Sequence, residues 1–176
     1  MSKSILDNLF GSRIRVKILK LLYRQHPSSF TLAELVARVQ EPVFIARREV
    51  KLLMDLGMLG RIRGTAKNPD RYVLNPEFDF FNELRELLLK PAPGENDRLA
   101  KRINGLGKVK LAVVAGMLVS RLDEATYESP ADLFLVCDDI DKKKLSAFLK
   151  QLESEVGGEI RFGLMEQEEF LYRYEM

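Results

Sequence analysis

Apolar residues recur at helical spacing through the first half of the chain. Ile14, Ile18, Leu21 and Leu22, with Leu9 and Phe10 leading in, mark one face of a helix. Ser12 is placed to cap its start and Pro27 to end it. Thr31 opens a second helix with Glu34 three residues on, so hydroxyl and carboxylate can each accept from the other's backbone N–H. Leu32, Leu35, Val36 and Val39 form its apolar face, and Gln40-Glu41-Pro42 breaks the rhythm. Proline suits the first turn of a third helix, where its missing N–H would have no partner anyway. The spacing predicts that helix over 42–56, with Ala46, Val50 and Leu53 inward and Arg47, Arg48 and Lys51 on the opposite flank. Gly57 is its left-handed stop.

Two short β-runs follow, Leu59–Arg63 and Arg71–Leu74, around the turn-rich tip Gly64–Asp70, which reads as a hairpin. A further helix is predicted from Phe78 to Leu89. Pro91-Ala92-Pro93-Gly94 is the linker signal, dividing the chain into residues 1–90 and 95–176. Beyond it the pattern predicts a helix at Asp97–Leu106 and strands at Lys108–Ala115 and Asp132–Cys137. An amphipathic helix at Lys142–Val156, a strand at Glu159–Met165 and a helix at Gln167–Tyr174 complete it. The fold class expected is α+β, a helical unit with a hairpin followed by a small α/β unit.

Charge changes the picture more than composition does. The 176 residues carry 28 basic and 26 acidic side chains, a near-neutral +2. Residues 1–75, however, hold 14 Lys or Arg against 6 Asp or Glu, a net of +8, whereas residues 92–176 hold 12 against 16, a net of −4. Such a split points to two units with different partners. The basic half suits a polyanion.

Cys137 as the single cysteine excludes an internal disulfide, and His26 as the single histidine disfavours a histidine-based metal site. No apolar run approaches the ~20 residues needed to cross a bilayer. The expected setting is cytoplasmic, with no membrane partner and no cofactor.

The order of elements over residues 9–75 resembles the winged helix-turn-helix domains of bacterial and archaeal transcription regulators. The carrying residues are Leu9-Phe10-Gly11-Ser12-Arg13-Ile14-Arg15-Val16-Lys17-Ile18-Leu19, then Ala46–Leu53 running into Leu56-Gly57-Met58-Leu59. The resemblance implies that the third helix enters a major groove of double-stranded DNA and that the hairpin is the wing. Arg47 and Arg48 would grip a guanine edge or phosphates through their planar donor forks, with Lys51 beside them. Arg63, Lys67 and Arg71 on the hairpin would reach backbone or minor groove. Phe44 opens the third helix where small polar residues are more usual. It would meet a thymine methyl, or pack on the hairpin or a partner subunit.

Residues 97–176 resemble small nucleotidyltransferase-fold domains. Active members hold nucleotide phosphates with a Gly-Ser after the first strand and divalent metal with an Asp-x-Asp pair opening the second. Here Gly116 is followed by Met117, and Asp132 is preceded two residues earlier by Pro130. One carboxylate cannot organise two Mg²⁺ ions, so the resemblance implies a vestigial nucleotide site at Gly116 and Asp132 and no catalysis. The loop acids Asp123, Glu124 and Glu128 do not restore the pattern. Asp138 and Asp139 are expected beyond the second strand, and Asp139 or Asp141 as a helix cap.

Three functional readings follow. The first is a DNA-binding transcription regulator, working as a homodimer, whose second unit supplies an interface or takes a small ligand or protein partner. Leu87, Leu88 and Leu89 would then be a candidate dimer seam. The second is a divergent nucleotidyltransferase with a winged-helix specificity module. The third is an adaptor with no nucleic-acid role.

Overall fold

The computed structural model describes residues 5–65, 67–89, 95–119 and 130–175. The chain divides into two compact units. One comprises Met1–Lys90 with Glu153–Gly158, the other Pro91–Leu152 with Glu159–Met176. Both are mixed α and β, each built on a three-stranded sheet.

In the first unit the leading segment is a helix of its own, α1 (Ile5–Phe10), separated from α2 (Arg13–Arg24) by Gly11 at φ +69°. Ser12 caps α2, its hydroxyl accepting from the Arg15 N–H at 3.2 Å. Helix α2 is the central pillar: Ile18, Leu19, Leu21 and Leu22 are buried against the elements that surround it.

The Thr31–Glu34 capping box is complete, with the Thr31 N–H donating to Glu34 at 2.7 Å and the Glu34 N–H to the Thr31 hydroxyl at 3.2 Å. It starts α3 (Leu32–Val39). Helix α4 spans Val43–Asp55. Pro42 is its N-cap rather than its first-turn residue. Pro42 keeps an extended ψ of 134° while its carbonyl accepts from the Ile45 and Ala46 N–H groups. Gly57 at φ +77° stops the helix.

Strands β2 (Leu59–Ile62) and β3 (Arg71–Leu74) pair antiparallel. A two-residue strand, β1 (Phe30–Thr31), pairs with the other edge of β3, giving the order β1-β3-β2. Helix α5 (Phe81–Leu89) closes the core. Leu88 and Leu89 are buried in it, and only Leu87 of the expected dimer seam is exposed.

The second unit contains α6 (Glu95–Asn104), β4 (Gly107–Val114), a 3₁₀ turn at Gly116–Leu118 and β5 (Leu133–Ile140). Helix α7 (Lys142–Val156), of which Lys142–Leu152 belongs to this unit, β6 (Phe162–Met165) and α8 (Gln167–Glu175) follow. The strand order is β4-β5-β6, with β4 antiparallel and β6 parallel to β5. Leu133, Leu135, Val136 and Cys137 put β5 at the centre of the apolar packing. Asp138 and Asp139 lie inside β5 rather than beyond it. Asp138 accepts from the Gln167 N–H at 2.8 Å and so caps α8. Asp141 caps α7, accepting from the Lys143 and Lys144 N–H groups at 2.9 and 3.1 Å. The loop acids Asp123, Glu124 and Glu128 lie outside the described residues.

Candidate nucleic-acid interface

Helix α4 is held in place by two ion pairs that sequence pattern alone did not reveal. Lys17, in the middle of α2, is buried. Its ammonium donates to the Val39 carbonyl at 3.0 Å and to Glu41 at 2.7 Å. It therefore ties down the corner between α3 and α4 from beneath. That corner is three residues long, with Gln40 in the left-handed region at φ +54°. Glu49 is the second anchor. It points inward from α4 and is only 2% exposed. It accepts from the Ser12 hydroxyl at 3.0 Å and from Arg15 Nε at 2.9 Å. Arg15 also donates to the Phe10 carbonyl, so α1, α2 and α4 meet at one carboxylate.

With that face fixed inward, the opposite face of α4 is set. Phe44, Arg47, Arg48 and Lys51 fall at i, i+3, i+4 and i+7, one stripe along about 10 Å of helix. All four are exposed. Among the described residues neither Arg47 nor Lys51 has a hydrogen-bond or ion-pair partner. Arg48 lies 3.7 Å from Glu49 yet keeps 77% of its side chain exposed. Phe44 is 71% exposed.

The hairpin is organised by Asp70. Its carboxylate accepts from the Gly64 N–H at 2.8 Å and pairs with Arg61. The Gly64 N–H first, and then Arg61, hold the Asp70 carboxyl below the ordinary carboxylate range. Thr65 and Asn68 exchange backbone hydrogen bonds across the tip at 2.8 and 3.2 Å. Gly64 is required there, since a Cβ at that position would stand 2.1 Å from the Asn68 carbonyl oxygen. Arg63 and Lys67 are exposed on this hairpin.

Arg71, 40% exposed, also has partners within the fold. Its guanidinium is turned to the fold, donating to the Ser29 hydroxyl and carbonyl and pairing with Glu34 at 3.3 Å. It fastens β3 to the entrance of α3. The capping-box N–H of Thr31 and the nearby Arg71 charge together lower the Glu34 carboxyl.

In the second unit, Gly116 and Asp132 do come together. Gly116 sits at φ +51° in the 3₁₀ turn, and the next residue, Met117, donates its N–H to Asp132 Oδ1 at 3.1 Å. Asp132 Oδ2 accepts from the Arg161 N–H at 3.0 Å and from its Nε at 3.3 Å. Asp132 is 1% exposed. Both of its carboxylate oxygens are thus engaged by protein donors at the junction of β4, β5 and β6. Arg161, absent from the sequence reading, is the residue that makes this arrangement a latch. Among the described residues no three His, Cys, Asp or Glu side chains gather as a metal ion would require.

Compared with known proteins, the chain matches no family model, no curated protein and no solved structure. Among the described residues no helix is long and apolar enough to cross a membrane.

Proposed function

We propose that the first unit is a winged helix-turn-helix that binds double-stranded DNA, with α4 in the major groove and the β2–β3 hairpin as wing. The protein is then a transcription regulator, with the second unit serving as a non-catalytic interface or ligand module. One observation carries the reading. Arg47, Arg48 and Lys51 form a solvent-facing cationic stripe while the anionic Glu49 of the same helix is folded inward. Among the described residues only Arg48 of the three is near a carboxylate, Glu49 at 3.7 Å, and the stripe presents its charges at a spacing that fits a groove about 12 Å wide. Arg63 and Lys67 extend the same sign of charge onto the hairpin. Both oxygens of Asp132 being taken by Met117 and Arg161 supports a structural role over metal binding, and so favours this reading over nucleotidyl transfer.

The test is fluorescence anisotropy of a labelled duplex across a salt series. Wild-type affinity should fall linearly in log–log form with salt. The triple variant Arg47→Ala, Arg48→Ala, Lys51→Ala should bind more weakly, with a slope smaller by up to about 3, near 0.9 for each phosphate no longer neutralised. A triple variant with unchanged affinity and slope would sink the assignment of α4.

A further inference from the structure

We infer that Phe44 is a base-reading residue, and that the preferred duplex carries a 5-methyl pyrimidine, thymine, in the major groove one or two base pairs from a guanine. The inference rests on the DNA-binding reading above and adds its sequence preference. Phe44 is 71% exposed and its neighbour Val43 is 48% exposed, at the leading end of α4. Arg47 and Arg48 follow one turn along the same stripe, so whatever covers Phe44 must also accept dense positive charge. A purely apolar protein surface fails that requirement. A thymine edge meets it, because its methyl group is the apolar feature of a major groove lined by phosphates.

Position supports the same choice. Residues at the leading end of a helix laid into the groove are the ones that reach base edges. Along the axis Phe44 precedes Arg47 by about 4.5 Å and Arg48 by about 6 Å. With base pairs stacked every ~3.4 Å, that offset is one to two steps. An arginine fork at that distance matches the O6 and N7 acceptors of guanine.

The test begins with selection of bound duplexes from a random library by the full chain. Each thymine of the selected site is then replaced in turn by uracil, which lacks only the methyl group. Covering one methyl is worth about a fourfold change in affinity. One replacement should therefore weaken wild-type binding about fourfold and leave Phe44→Ala unaffected, with Phe44→Leu in between. Because Phe44 is exposed, neither substitution removes core packing.

If every uracil replacement costs both proteins the same, the inference is overturned while the cationic stripe stands. If the Phe44→Ala chain sediments as a smaller species, with no change in the uracil response, the ring belongs to an interface with a second copy and the inference is likewise overturned. If the wild-type chain selects no duplex at all, the DNA-binding reading falls and takes this one with it.

Discussion

Glu49→Ala is the sharpest test of how α4 is held. The substitution removes a carboxylate that is 2% exposed and accepts from Ser12 and from Arg15. Both bonds are to a charged group, and a hydrogen bond of that kind is worth about 1.5–3 kcal/mol. Losing one partner of a fully buried ion pair costs about 3–5 kcal/mol, but the Arg15 side chain is 22% exposed and regains some water. The expected loss is therefore about 3 kcal/mol. For a unit of this size that corresponds to a melting shift of roughly 12–24 °C. The chain contains no Trp and has two units, so a single fluorescence transition is a poor reporter. Amide hydrogen exchange resolved by peptide is better. Protection in α2 and α4 should fall by roughly 150-fold, with β4–β6 unaffected. In a double-mutant cycle with Arg15→Ala, the two losses should fall short of additive by about 1.5 kcal/mol. A loss below about 0.5 kcal/mol, or strict additivity, would refute the claim that this carboxylate fastens α4 to α1 and α2.

Three further outcomes are expected. Asp132→Ala leaves the Met117 and Arg161 N–H groups without their acceptor. It should destabilise the second unit by about 3 kcal/mol, read as faster exchange in β4–β6, and Mg²⁺ should change the stability of neither protein. Gly64→Ala forces the hairpin tip apart and should lower duplex affinity while leaving exchange in α2 and α4 as in wild type. Burial pushes the Tyr23 phenol up to about 12 from its ordinary 10.0. Its neutral form is the one the fold prefers, so the stability it contributes is complete below pH 10 and is lost as pH rises towards 12. Tyr23→Phe should flatten that alkaline fall in a melting series.

Much of the fold was legible because its signals are local. The Ser12 cap, the Thr31–Glu34 box, the Gly57 stop and the Asp141 cap each depend on residues within four positions of one another. What escaped detection depends on distant partners. Strand β1 is too short to show a period and exists because β3 offers it an edge. Lys17 is one of several basic residues in Arg13–Lys20, and nothing in its neighbourhood indicates that the Val39 carbonyl and Glu41 will hold it. Asp138 and Asp139 looked like loop residues because strands seldom carry paired acids, yet Asp138 is needed there to cap α8.

The candidate interface follows the same division. The exposed stripe of α4 was readable from helical spacing. That Arg71 turns to Ser29 and Glu34, 42 and 37 positions away in sequence, was not. Nor was the way Arg161 occupies Asp132.

The Lys17 clamp has a consequence for how ionic strength acts on the protein. Dissolved ions screen charges that face water, over roughly 8 Å at physiological salt, but reach a buried ammonium far less. The exposed cations of α4 and the hairpin belong to the first class, and the Lys17 side chain, 7% exposed, belongs to the second. On the DNA-binding proposal, raising salt should therefore loosen the hold on a polyanion without altering the angle at which α4 leaves α3. Grip, on that proposal, and posture then rest on two separate populations of charge, and the first responds to the solvent far more than the second.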